Sequence, residues 1–336
     1  MNTLYQVKAP KFRSRKAFIA WAERVRKMKA TYDFERNEAI IQKYLTSQEL
    51  DILQLSDGNY ICNIRALHDY LIITAAIFAG DKEGRLKLRD TVFNHGLSYQ
   101  IRHVSWELGK VVLEKKYPGK PYKPLAGPDI TEFGDYVCLI AIFGNRFYFT
   151  HMVKVILDHI DLGHMLVGSY AHVTQQFILR LAEHFLQLPS RQWDADKGNW
   201  AFDPLEREPL FKSLWQHWDD ENTEILEPLL VQLLNWHTYQ ASRQNKDGGQ
   251  DYHPYVEQIP LAYLFILRLR QWRGLSVPHI SHVLTQPPFD SLPEEVEGRY
   301  EFCPFAKEFY AKTLNLMPDF IDQINRIKIR DWKMII

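Results

Sequence analysis

The 336-residue chain is predicted to be all-α, as a multi-helix bundle or stacked helix pairs forming two packed helical modules. Apolar residues recur at helical spacing through most of its length. Capping residues and glycine or proline stops bracket those stretches, and strand signals are absent from its first eighty residues.

The first helix is expected from Ser14, which can cap a segment whose apolar positions Phe18, Ile19, Ala22, Val25 and Met28 share one face. Thr46 and Glu49 have capping-box spacing, and the run from Tyr60 ends at Gly80, a natural C-terminal stop. A further helical stretch, roughly Gly84 to Tyr117, ends at Pro118, and GKPYKPLAGP then carries three prolines and two glycines without an apolar period. This places a basic module over residues 1–118, a linker over 119–128 and an acidic module over 129–336.

Asp129 and Glu132 open the second module with capping spacing, and apolar segments follow at 133–143, 147–162 and 165–188. The helical pattern returns from Leu210 to Trp218 and from Ile225 to Tyr239. Pro260 is expected in the first turn of a strong helix, LAYLFILRLRQWRG, which Gly274 closes. The proline-bearing tail reads as loop and short helices.

Apolar residues at 46% and aromatic residues at 13% supply a core without help from metals or disulfides. Cys62, Cys138 and Cys303 form no CxxC pair, so each is expected to be a small buried hydrophobe. The basic start lacks the apolar stretch of a secretory signal, and no apolar run reaches membrane-spanning length. A cytoplasmic, soluble protein is therefore expected, with no cofactor and no membrane partner.

Charge is the most informative feature. Formal net charge is zero, yet residues 1–124 carry +9 and residues 125–336 carry −9. The acids concentrate in two runs: Asp194, Asp196, Asp203, Glu206, Glu208, Asp219, Asp220, Glu221, Glu224 and Glu227, and then Asp290, Glu294, Glu295, Glu297 and Glu301. Such a surface accelerates association with a basic partner. These fifteen acids are the expected partner-facing residues. The alternative is that they solvate loops and helix starts, which suits Asp219, Asp220 and Glu221 before Ile225.

Catalytic signatures are missing: the sequence holds no GxGxxG, Walker A, HExxH, GxSxG or EF-hand pattern. The densest group that could bind a metal or transfer protons is His151, Asp158, His159, Asp161, His164 and His172. A helical, metal-dependent enzyme is thus the alternative to a binding protein. A third reading, nucleic-acid binding through the basic module, is opposed by the acidic majority of the remaining chain. Trp236, His237, Tyr239, Arg243, Asp251, Tyr252, His253, Tyr255 and Glu257 cluster around one loop, which they either anchor to the core or shape into a pocket.

That block, with the following IPLAYLFILRLRQWRGL and VLTQPPFDSLP, resembles the C-terminal part of bacterial immunity proteins that protect against polymorphic and contact-delivered toxins. It is most similar to the all-helical, two-module PoNi kind, whose members counter DNase toxins. The resemblance covers about the last 130 residues and the general order of helices. It implies a protein that binds a cognate toxin and blocks its active or substrate-binding surface. The acidic runs independently suit a basic nuclease as that partner.

Overall fold

A computed structural model of the chain describes residues 130–147, 149–150, 153–154, 157, 173–189, 204–242, 259–286 and 289–295, together with Ala20, Thr46, Ala311, Leu314, Asn315, Pro318 and Asp319. Its helices are α1 (Ile130–Phe143), α2 (Val173–Phe185), the short α3 (Pro204–Arg207), α4 (Pro209–His217), α5 (Leu226–Ser242) and α6 (Leu261–Trp272). The described residues include no strand, so the all-α prediction holds there. None of the described helices is long and apolar enough to cross a membrane. The basic module and linker lie outside the described residues, apart from Ala20 and Thr46. Thr46 is itself helical, and Glu49, its expected capping partner, lies outside the described residues.

α1 occupies the centre because its sequence is apolar all round. Val137, Cys138, Leu139, Ile140, Ala141 and Ile142 are consecutive and all buried, which a half-solvated helix cannot achieve. It packs against both α2 and α6. Close approach to α2 requires Gly134: a Cβ there would lie 2.4 Å from the Cβ of Gln175 and 2.8 Å from its Cα. Cys138 behaves as the expected buried hydrophobe, with burial and the neighbouring Asp135 pushing its thiol pKa well up.

α2 is buried along nearly its whole length and ends in a Schellman turn. Leu188 N–H donates to the Glu183 carbonyl at 3.0 Å and Gln187 N–H to that of His184 at 3.1 Å. The turn needs a left-handed residue, and Gln187 supplies it at φ 53°. A side chain resists that conformation where glycine does not. Gln187→Gly is therefore expected to stabilise the protein by about 0.5–1 kcal/mol, seen as a higher urea midpoint with unchanged slope. An unchanged or lower midpoint would show that the side chain earns its strained place.

α4 begins where Glu208 accepts the Leu210 N–H at 3.3 Å and Pro209 fills the first helical position. From it, Phe211 stacks on Phe177 of α2 at 4.6 Å and meets Trp236 of α5 edge-on at 5.5 Å. The Trp236 indole donates to Thr174 Oγ1 at 2.9 Å, so this tryptophan anchors α5 to the core. His237 is also buried, whereas Tyr239 is half-buried against Trp236. Arg243, Asp251, Tyr252, His253, Tyr255 and Glu257 lie outside the described residues.

α6 runs through the interior with Leu261–Arg270 buried throughout. Pro260 sits at its N-cap, one residue before the predicted first turn, because the Pro260 carbonyl already accepts the Leu264 N–H at 3.0 Å. Gly274 closes the helix as predicted, at φ 74°, and Leu275 N–H returns to the Arg270 carbonyl at 3.0 Å. Beyond it, His282 caps a 3-10 turn at Val283–Thr285. Its Nδ1 accepts the Leu284 N–H at 3.1 Å, which leaves Nε2–H to donate to Asn235 of α5 at 3.2 Å. Burial pushes the His282 pKa down to about 4, so the ring is neutral near pH 7 and both bonds are retained.

Candidate interaction surface

The acidic segments predicted to face a partner converge on α6 through two arginines. Arg268 and Arg270 stand two residues apart on a helix, so their side chains leave it in nearly opposite directions. They are 1% and 0% exposed, an unusual burial for cations; Arg270 donates mainly to backbone carbonyls, whereas Arg268 divides its contacts between two carbonyls and the Gln271 and Glu295 side chains.

Arg270 holds the connection between α4 and α5. Nη1 donates to the carbonyls of Trp218 at 2.7 Å and Asp220 at 2.9 Å, while Nε donates to that of Ser276 at 2.8 Å. Burial lowers its pKa, and the adjacent Asp219 and Asp220 oppose that shift. The guanidinium thus uses its hydrogen bonds on the main chain. The carboxylates keep their own directions: Asp220 Oδ2 meets His217 Nδ1 at 2.7 Å, whereas Asp219 and Glu221 bond to no other side chain among the described residues.

Arg268 does the same for the second acidic run. Nη2 donates to the Ile142 carbonyl at 2.7 Å, capping the end of α1, and also to the Pro293 carbonyl. Nη1 lies 3.8 Å from Glu295 Oε1, which also accepts from the Trp272 indole. Glu295 is consequently half-buried and internally engaged, while Asp290 and Glu294 are exposed.

In the first run, Glu206, Glu221, Glu224 and Glu227 are exposed, and Glu208, Asp219 and Asp220 are half-buried. Several have local work: Glu208 caps α4, Glu224 accepts from Asn222 at 3.2 Å, and Glu227 accepts from Thr223 at 2.7 Å at the start of α5. Asp194, Asp196, Asp203, Glu297 and Glu301 lie outside the described residues, as do His151, Asp158, His159, Asp161, His164 and His172. No group of metal-ligating side chains occurs among the described residues.

No known protein family, curated protein or solved structure matches this chain. What the arrangement can do is therefore read from its own chemistry. The α4–α5 connection presents carboxylates on a backbone that Arg270 fixes, and Ile225, 48% exposed, stands among Glu221, Glu224 and Glu227. An apolar side chain rimmed by charge has the composition of a protein contact. Sequence reasoning found the acids but missed the arginines that set them. The available signal was LRLRQW, where two cations interrupt an otherwise apolar helix.

Proposed function

We propose that this protein is a stoichiometric binding protein that neutralises a basic protein toxin, with the α4–α5 connection as its leading contact. The observation that carries this reading is the pair of carboxylates at Asp219 and Glu221, hydrogen-bonded to no other described side chain, on a loop braced through its backbone by buried Arg270. A loop held in this way loses little freedom when a partner docks. Excess negative charge over residues 125–336 steers a basic partner toward it, and Ile225 supplies an apolar contact within the acidic rim. The resemblance of residues 235–293 and beyond to immunity proteins agrees with that role.

The test begins with the product of the neighbouring gene, expressed with and without this protein to measure toxicity and protection. The double variant Asp219→Asn and Glu221→Lys removes acidic charge from the loop without placing a new cation at position 219, beside buried Arg270. It is expected to slow association with that toxin at least ~10-fold at low ionic strength and to flatten its decline with salt. An unchanged on-rate with full protection would remove this loop from the interface, and a harmless neighbour would count against the toxin reading itself.

A further inference from the structure

We propose that His184 is a pH-sensitive latch on the α4–α5 connection, closed while its imidazole is neutral and released when the ring takes up a proton. The Trp218 indole donates to His184 Nδ1 at 3.2 Å, tying the last turn of α2 to the end of α4. An indole nitrogen is a donor only, so the imidazole nitrogen that faces it must carry no proton. An imidazolium has N–H on both nitrogens and cannot accept this bond, whichever way the ring is turned. Protonation therefore removes the latch outright.

The bond sits where the acidic connection is braced. Trp218 is 0% exposed, and its carbonyl is one of the two on the connection that Arg270 holds, at 2.7 Å. His184 is the one acceptor of its indole among the described residues. Once the ring is charged, only ring packing keeps the two residues together, with His184 4.8 Å from Trp215 and 5.9 Å edge-on from Trp218. The indole N–H is left without its partner, a loss of the kind that loosens a helix end before it opens the core.

No carboxylate among the described residues bonds to the charged ring in compensation. On α2, Glu183 pairs with Arg180 at 3.3 Å, and Asp135 of α1 meets Gln175 near the opposite end of that helix. Glu206 of α3 and Lys212 of α4 are exposed, and Glu208 caps the far end of α4. On the α6 side the charge is positive: Arg273 lies over the same Trp218 ring, 5.5 Å from its centroid, and donates to the Phe185 carbonyl at 3.4 Å, while Arg146 lies over the Phe185 ring. His217 responds in the opposite sense, because a protonated ring binds Asp220 more strongly. Its side chain and that of Asp220 are 32% and 38% exposed, so water screens this gain and the loss at His184 decides the outcome.

The full-length protein, followed by NMR from pH 8 to pH 5, tests the latch, since histidine changes charge within about that range. The Trp218 indole N–H signal and the His184 ring signals are expected to move together with one midpoint, and amide exchange over residues 218–226 to lose protection through the same midpoint. His184→Asn places an amide oxygen near the position of Nδ1 and accepts the indole at every pH, so its indole signal and protection should stay flat. His184→Phe keeps a ring against Trp215 without an acceptor, and at pH 8 should already exchange about 10-fold faster than the parent over residues 218–226. His217→Gln should leave the pH response in place. An indole signal that stays fixed while His184 titrates, a response that survives in His184→Asn, or one that disappears in His217→Gln would each overturn the proposal. The toxin-binding reading does not enter this experiment.

Discussion

Gly134→Ala is expected to cost about 3 kcal/mol of stability, a large effect for one methyl group. A new Cβ at 2.4 Å from the Gln175 Cβ and 2.8 Å from its Cα meets atoms close to the backbone, which no rotamer change can remove. α1 and α2 must separate, and both are buried there, with Asp135 accepting from Gln175 Nε2 at 3.2 Å across the contact. Chemical denaturation followed by circular dichroism measures the loss. A paired test assigns its cause: Gln175→Ala keeps the offending Cβ and should not rescue Gly134→Ala, whereas Gln175→Gly should recover part of the stability despite its own helix penalty. Rescue by both, or a loss below about 1 kcal/mol, would refute the close-approach explanation.

Arg270→Met should also cost about 3 kcal/mol, for an electrostatic rather than a steric reason. Methionine fills much of the volume but leaves the carbonyls of Trp218, Asp220 and Ser276 without the donors that now serve them. Asp219 and Asp220 simultaneously lose their nearest buried cation. The local readout distinguishes this from general destabilisation: hydrogen exchange should quicken across residues 218–226 before the body of the bundle opens. Arg268→Met should instead loosen residues 289–295 and the end of α1, since its bonds go to Ile142 and Pro293. Matching exchange patterns in the two variants would contradict the separate bracing of the two acidic segments.

The divergence of Arg268 and Arg270 shows where sequence reading stopped. Their i, i+2 spacing already implied opposite faces of a helix. Burial was not legible, because cations usually keep their heads in water and nothing local announces a set of waiting carbonyls. Except for that of Ser276, those carbonyls come from positions 25, 50, 52 and 126 residues away, so only the fold assembles them. The acidic residues were legible as charge. Their division into Asp219 and Glu221, which bond to no described side chain, helix-starting Glu208 and Glu227, and internally engaged Glu295 was not.

The sequence by itself determined the helical class of the described region, the stops at Gly274 and after Phe143, the burial of Cys138 and the negative charge of residues 125–336. Each follows from local periodicity, backbone preference or composition, which neighbouring residues carry unaided. Tertiary structure alone decided that Gly134 is a contact point between helices, that Trp236 reaches Thr174, and that two buried arginines hold acidic segments on either side of α6. These depend on distances between residues far apart in the chain. The physical reason is that close packing and the satisfaction of buried polar groups are settled by whichever atoms the completed fold brings within reach.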